Sequence, residues 1–182
     1  GVVDCCLRLM RDHGFKADKV VSVVCDVPPL IPQLVGRPPS QRMTPNYARL
    51  CSAYTVARTL THGTIDVAHF WPGNIANDTI QDLAKRVKMR IDDNPDPNAL
   101  TPVEVAVTTT DGPMLRQEIN IVLGNPDNPL TRDAHLAKFR QNAAGAAIPV
   151  PDGAVEALIA QVDALDTLGD IRDVIDNLCP SA

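Results

Sequence analysis

The chain has 182 residues, of which 45% are hydrophobic and 3% aromatic, so its core is expected to consist mainly of Val, Leu, Ile and Ala. The net charge is −5 and the sequence has no basic run, which makes nucleic acids and anionic membrane surfaces poor candidates for partners. No apolar run reaches the length of a membrane span, and no secretory signal pattern is present. We therefore expect a cytoplasmic protein with one domain, or with one small domain and a docking extension.

The cysteines also indicate a reducing compartment. Their number is odd, two are adjacent, and none forms a C-x-x-C pair. We interpret most of them as small hydrophobic residues, and a redox-active pair at Cys5 and Cys6 is the less favoured alternative. The set is Cys5, Cys6, Cys25, Cys51 and Cys179.

The first part of the chain is predicted to contain a helix, a strand and a long loop. Apolar residues at helical spacing between Val2 and Met10 predict the helix, and His13-Gly14 ends it. A β-branched run at residues 19–25 predicts the strand. The proline-rich stretch 28–45 is interpreted as a long ordered loop, a kind of segment that is often functional.

A polar aromatic residue, Tyr54, lies in the apolar stripe of the next predicted helix, within residues 48–63. Thr44-Pro45 is typical of a helix start and Gly63 of a left-handed helix end. The residues predicted to share one face are Leu50, Ala53, Tyr54, Ala57 and Leu60. Tyr54 is either a packing residue with a satisfied hydroxyl, which is the commoner case, or a group that points into a cleft where chemistry happens.

Arg49 is a second candidate, because a cationic side chain near a helix N-terminus suits a carboxylate ligand. On the residues alone, a solvated arginine is the favoured interpretation. Phosphate-binding loops and nucleophile elbows are absent, and the four histidines do not show metal-ligand spacing. A close approach of His62 and His69 is a minor alternative.

Residues 64–77 are predicted to be irregular or to form a short helix at residues 67–70. A helix at residues 78–87 and then three strands are predicted to follow. Asp111-Gly112 indicates a hairpin between the last two strands. The strands are predicted from the alternation of Val87, Met89 and Ile91, from that of Val103, Val105 and Val107, and from residues 114–122.

A turn cluster at residues 124–131 leads into a helix with Leu136 and Phe139 on its buried side. After Gly145, a linker at residues 148–152 precedes helices with broad apolar stripes, which either pack on the rest of the chain or dock on a missing partner. The predicted fold class is α+β, a small domain with a mainly antiparallel sheet, flanking helices and additional C-terminal helices.

Three segments together resemble the MmgE/PrpD family. Residues 48–54, Ala-Arg-Leu-Cys-Ser-Ala-Tyr, are similar to its Ala-[Lys/Arg]-Phe-Ser-x-x-Tyr segment, and Asp111-Gly112 matches its Asp-Gly turn. Residues 124–131, followed by Lys138-Phe139-Arg140, resemble its G-x-P-x-N-P-L-[Ser/Thr]…K-F-R signature, the most specific of the three. The order and spacing of the segments agree over most of the chain.

The resemblance implies an enzyme that acts on a di- or tricarboxylate without a metal or an organic cofactor. The family comprises 2-methylcitrate dehydratase, cis-aconitate decarboxylase and related epimerases, which pair a large helical domain with a smaller α+β lid and are commonly homodimers. On this resemblance, residues 1–145 are the lid domain, and residues 146–182 are helices that dock on the N-terminal helical domain of the same protein. The expected partners are a small carboxylate substrate, that helical domain and a second copy.

The resemblance also implies residue roles. Tyr54 falls on the family's active-site tyrosine, and Arg49 falls on a basic position that can contact a substrate carboxylate. Val2-Val3-Asp4 resembles the end of a His-x-x-Ile-Asp motif whose histidine would precede Gly1, so we expect a C-terminal fragment that is inactive alone. The alternative is a non-catalytic interaction domain, which a buried Tyr54 without a cleft would favour. An exposed Tyr54 beside Arg49 would favour the lid of an enzyme.

Overall fold

The computed structural model describes residues 1–178, so Cys179 lies outside the described part of the chain. These residues contain nine α-helices, three short 3-10 helices and four strands. They divide into two compact units, Gly1–Leu130 and Thr131–Ala182. The predicted α+β class is confirmed.

One four-stranded mixed sheet forms the centre of the first unit, in the order β2-β1-β3-β4. Strand β1 pairs in parallel with β2 and antiparallel with β3, and β3 pairs antiparallel with β4. The strands are β1 (Val20–Val27), β2 (Val87–Ile91), β3 (Val103–Thr109) and β4 (Leu115–Ile119). The prediction of a mainly antiparallel sheet is therefore confirmed, with one parallel pair.

The predicted hairpin at Asp111-Gly112 joins β3 to β4. The Asp111 carboxylate accepts a hydrogen bond from the Thr110 hydroxyl at 2.9 Å and lies 2.8 Å from the Lys19 ammonium. The turn is thus held to the residue that precedes β1, which helps to keep the three neighbouring strands in register.

Helices pack on the sheet of the first unit. Helix α1 contacts β3 and β4, α4 contacts β2, and α4 also contacts α1 and α6. These helices are α1 (Val2–His13), α2 (Leu30–Val35), α3 (Pro45–Arg49), α4 (Ser52–His62), α5 (Pro72–Ile75) and α6 (Asp78–Ala84). Two 3-10 helices also lie in this unit: Ala17–Lys19 between α1 and β1, and Val67–Phe70 between α4 and α5. Helix α4 therefore lies in the middle of the helical layer.

The four described cysteines are all buried in the core of this unit. Burial raises the pKa of Cys5 to about 11 and that of Cys25 to about 12. Such thiols stay protonated at neutral pH and are poor nucleophiles. Their interpretation as small hydrophobic residues is confirmed for this part of the chain.

The helix predicted around Tyr54 is in fact two helices. Thr44 caps α3 as predicted, since its hydroxyl accepts from the Tyr47 amide at 3.2 Å, and Gly63 ends α4 at φ 69°. Between them, Cys51 leaves the helical conformation (φ −113°, ψ 92°) and forms a β-bridge with Gly36. This long-range pairing interrupts the helix, so Leu50 does not belong to the same helical face as Tyr54.

Two other boundaries differ from the predictions. The predicted loop at residues 28–45 contains helix α2, and the helix predicted at residues 78–87 ends at Ala84. Val87 instead begins β2, where it is paired with Val23 of β1. Val87 is also the first residue of the alternation that predicted this strand, so the strand prediction is confirmed here and only the end of the predicted helix is wrong.

The second unit is helical. It contains α7 (Arg132–Ala144), α8 (Asp152–Asp163), a 3-10 turn (Leu165–Thr167) and α9 (Arg172–Leu178). Leu136 and Phe139 are half-buried and line an apolar cavity of about 270 Å³ between the helices. The structure groups α7 with the helices that follow it, and the predicted division at residues 145 and 146 stays a prediction.

Among residues 1–178, no helix has both the length and the apolar character that crossing a bilayer requires.

Candidate functional site

The structure places Tyr54 in a cluster of polar side chains inside the first unit. Tyr54 is fully buried on α4, and its hydroxyl donates to the backbone carbonyl of His69 at 2.6 Å. The Nε atom of Arg58 donates to the same phenol oxygen at 2.9 Å. Because the two residues are four positions apart, the helix itself brings the guanidinium to the phenol. We refer to Tyr54, Arg58, His62, Asp66 and His69 as the Tyr54 cluster.

A capping box orients the His69 side of the cluster. The Asp66 carboxylate accepts from the backbone amides of Ala68 (2.9 Å) and His69 (3.3 Å), and the Asp66 amide donates to His69 Nδ1 at 3.1 Å. Since Nδ1 accepts a hydrogen bond, the neutral imidazole carries its own proton on Nε2. The same short 3-10 helix therefore fixes both the His69 ring and the carbonyl that receives the Tyr54 hydroxyl.

The rings of His62 and His69 lie together, with centroids 4.7 Å apart. His62 Nδ1 is 3.1 Å from the carbonyl oxygen of Arg58. In the sequence analysis a close approach of these two histidines was a minor alternative, and the structure confirms that they approach each other. His62 is exposed, so the cluster reaches the surface at this end. Within the described chain, no group of three or more His, Cys, Asp or Glu side chains is arranged to hold a metal ion.

Arg58 is the functional candidate that the sequence reasoning missed. Its side chain is only 4% exposed, and its Nη2 atom is buried without a hydrogen-bond partner among residues 1–178. No carboxylate of these residues forms an ion pair with it, and its guanidinium carbon lies 5.4 Å from the centre of the Tyr54 ring. The signal in the sequence that could have found this contact is a charged residue four positions after Tyr54, because residues at that spacing are neighbours on a helix.

Burial and neighbouring charges affect the two central titratable groups in opposite directions. Burial raises the pKa of Tyr54, and the hydrogen bond and charge of Arg58 lower it in part. Burial lowers the pKa of His69, Asp66 raises it in part, and the nearby His62 and Arg58 lower it further. Both side chains are therefore neutral in the folded chain near pH 7, and Tyr54 is held as a proton donor.

Arg49 contacts an aromatic ring that also contacts Tyr54. The Phe70 ring centre is 6.0 Å from that of Tyr54 and 5.8 Å from the guanidinium carbon of Arg49. Arg49 is exposed, whereas Tyr54 is not. The structure thus brings both predicted residues to Phe70 but gives only Arg49 direct access to solvent. Their catalytic and binding roles stay predictions.

The Tyr54 cluster lies in a part of the chain that matches a known protein family. A family model described as the MmgE/PrpD C-terminal domain matches residues 1–164. The chain belongs to the MmgE/PrpD family. The match includes the whole first unit, with Arg49 and the Tyr54 cluster. No curated protein matches the chain.

The matched range also shows which part of an MmgE/PrpD protein this is. The resemblance predicted a C-terminal portion, and the model that matches is that of the C-terminal domain. The 3-10 turn Leu165–Thr167 and helix α9 follow the matched residues. The family and the type of domain are therefore confirmed.

The lowered pKa of His69 predicts how stability depends on pH. In the unfolded chain His69 has a pKa near the usual value of 6.5, whereas in the native state its pKa is lower, so the native state binds the proton less readily. The stabilising contribution is therefore complete above pH 6.5 and is lost as the pH falls through the lower native pKa. We expect the urea concentration at the midpoint of unfolding to decrease when the pH is lowered from about 7.5 to about 5.5.

Two variants test this pH dependence. In His69→Asn the amide oxygen can replace Nδ1 as the acceptor for the Asp66 amide but does not titrate, so the pH-dependent fall should shrink. His13→Asn removes an exposed histidine and should leave the fall unchanged. An equal fall in wild type and His69→Asn would show that another group is responsible.

Proposed function

We propose that this chain is the lid portion of an MmgE/PrpD-type lyase acting on a di- or tricarboxylate, with dehydration of the 2-methylcitrate type as the reaction. The match to the C-terminal domain model over residues 1–164 carries the proposal. The helices at residues 146–182 dock on the N-terminal helical domain of the same protein, and two copies form a homodimer. The protein works in the cytoplasm and uses neither a metal nor an organic cofactor.

Tyr54 supplies the proton donor in this proposal. Dehydration removes a proton next to a carboxylate and requires an acid that assists the departure of hydroxide. The Tyr54 hydroxyl is a neutral donor whose oxygen already accepts a hydrogen bond from a cation. Its hydrogen bonds to the His69 carbonyl, so the substrate oxygen must replace that carbonyl as acceptor before the proton can be transferred.

Arg49 binds a substrate carboxylate in this proposal. Its guanidinium is exposed, and the described residues provide no ion-pair partner for it. A free guanidinium can form two parallel hydrogen bonds to a carboxylate. Its guanidinium carbon lies 5.8 Å from the centre of the Phe70 ring, which also contacts Tyr54.

A non-catalytic interaction domain is the second candidate function. The burial of Tyr54 favours it, because the hydroxyl has one donor and one acceptor within the chain and lines no open cleft. A decarboxylase of the cis-aconitate type or an epimerase remains the alternative within the family. These candidates differ in what the protein does to a carboxylate, so turnover separates them.

The test compares the 182-residue chain with the same chain joined to an N-terminal helical domain of the family. Both proteins are incubated with 2-methylcitrate and with cis-aconitate, and the products are identified by NMR. We expect turnover of 2-methylcitrate by the two-domain protein and none by the chain alone. Turnover by the chain alone contradicts the lid assignment, and release of carbon dioxide from cis-aconitate selects the decarboxylase. A folded two-domain protein without turnover of either acid supports the interaction domain.

A further inference from the structure

The burial of the Arg58 guanidinium is not explained by a gain in folding stability. The residue is 4% exposed, Nη2 has no hydrogen-bond partner among the described residues, and no carboxylate there forms an ion pair with the guanidinium. Burial of an ion without a counter-ion is unfavourable, and apolar residues of similar volume often replace buried charges without loss of stability. A buried group of this kind indicates a role other than packing.

The single side-chain hydrogen bond of Arg58 shows what that role can be. Its Nε atom donates to the Tyr54 oxygen at 2.9 Å, and this contact occupies an acceptor position of the phenol. The hydroxyl hydrogen is then directed at the remaining acceptor, the His69 carbonyl at 2.6 Å. A phenol that accepts a hydrogen bond from a cation is a better proton donor, because the cation stabilises the phenolate that forms.

We propose that Arg58 is the positioning residue of Tyr54, which directs the phenol hydrogen and stabilises the negative charge that develops on the oxygen during proton transfer. This inference rests on the proposed function of Tyr54 as proton donor. Arg58 acts through Tyr54 and does not itself contact the substrate. The guanidinium thus contributes to the reaction at a cost in folding stability.

The surroundings of Tyr54 leave Arg58 as the principal source of positive charge at the phenol. The other titratable groups of the cluster are His62, Asp66 and His69, and Cys51 lies at the start of the same helix. Burial and Cys51 raise the pKa of Tyr54, whereas the hydrogen bond and the charge of Arg58 lower it. Removal of Arg58 therefore leaves only the groups that oppose ionisation.

The experiment measures the ionisation of Tyr54 directly by NMR of chain labelled with ¹³Cζ-tyrosine. The sequence contains two tyrosines, Tyr47 and Tyr54, so two signals are expected, and Tyr47→Phe assigns them. We expect Arg58→Met to raise the pKa of Tyr54 by about one unit or more. Arg58→Lys, which retains the charge, should raise it less. The urea midpoint of Arg58→Met should be equal to or above that of wild type.

Arg37 provides the matched control. Its guanidinium carbon lies 5.2 Å from the ring centre of Tyr47, much as that of Arg58 lies 5.4 Å from the ring centre of Tyr54. Arg37→Met removes the same charge from the chain and should leave the Tyr54 signal unchanged. An unchanged Tyr54 titration in Arg58→Met would falsify the proposal.

Activity provides a second readout in the two-domain protein. We expect Arg58→Met to lower kcat at least about tenfold with a shifted pH profile, and Arg58→Lys to restore part of it. If the chain unfolds at a pH below that at which Tyr54 ionises, the kcat values replace the titration as the test. Equal kcat values for wild type and Arg58→Met then overturn the inference. If Tyr54→Phe keeps full activity while Arg58→Met shifts the Tyr54 titration, the proposed role of Tyr54 as proton donor is wrong, but the effect of Arg58 on the ionisation of Tyr54 is confirmed. If Tyr54→Phe loses activity while Arg58→Met does not, the positioning role fails.

Discussion

Tyr54→Phe in the two-domain protein is expected to lower kcat by about 100-fold or more with little change in KM, because general acid–base groups contribute effects of this size. The substitution removes one oxygen atom and keeps the ring that packs against Phe70. A loss confined to kcat means that the hydroxyl acts in the transition state and not in substrate binding. Steady-state kinetics with 2-methylcitrate measure both constants.

The same substitution should also destabilise the chain. Without the hydroxyl, Arg58 Nε and the His69 carbonyl lose their partner in a buried position, which costs about 1–3 kcal/mol. Kinetics must therefore be measured under conditions where circular dichroism shows the variant to be folded. If a folded Tyr54→Phe protein keeps the kcat of wild type, the hydroxyl is a packing feature and the interaction domain gains support.

Tyr47→Phe is the matched control for this experiment. Tyr47 is half-buried, and its hydroxyl donates to the Pro38 carbonyl at 3.0 Å. It lies in the same unit and loses the same atom, but it is not part of the Tyr54 cluster. We expect its kcat to equal that of wild type and its loss of stability to be smaller than that of Tyr54→Phe.

Leu60→Ala is expected to lower the free energy of unfolding by about 2–5 kcal/mol, the range observed when large aliphatic core residues are truncated. Leu60 is 1% exposed and lies on α4, the helix that contacts both α1 and α6. The truncation leaves a cavity in the middle of the helical layer, where neighbouring elements restrict relaxation. Urea unfolding followed by circular dichroism measures the change.

Leu34→Ala tests whether burial, and not the residue type, causes the loss. Leu34 lies on α2 and is 51% exposed, so the same truncation removes few packed contacts. We expect a change within about 0.5 kcal/mol of wild type. Similar losses for the two variants would contradict the assignment of α4 to the centre of this core.

Local patterns predicted most of the individual elements. Helix α1 follows from apolar residues at helical spacing, β3 from alternating valines, and the hairpin from Asp111-Gly112. Gly63 ends α4 in the left-handed conformation that a glycine favours. These features depend on residues close together in the chain, so a sequence window contains the information that determines them.

Features that depend on distant partners were predicted less well. The break between α3 and α4 depends on the bridge between Cys51 and Gly36, and the parallel pairing of β1 with β2 joins two strands that are far apart in the chain. The apolar stripe that predicted one long helix does not reveal these hydrogen bonds. The energy of pairing with a distant strand overrides a local preference for continued helix.

The sequence by itself determined the α+β class and the MmgE/PrpD family, and it nominated Tyr54 and Arg49 as candidate site residues. Only the tertiary structure placed Arg58 and the His69 carbonyl on the Tyr54 oxygen and brought His62 against His69. The physical reason is that the segment after Gly63 brings the His69 carbonyl to the Tyr54 hydroxyl of α4, so polar groups of two elements are buried together. Residue types and spacing can nominate a tyrosine, but its environment depends on which groups burial forces into contact.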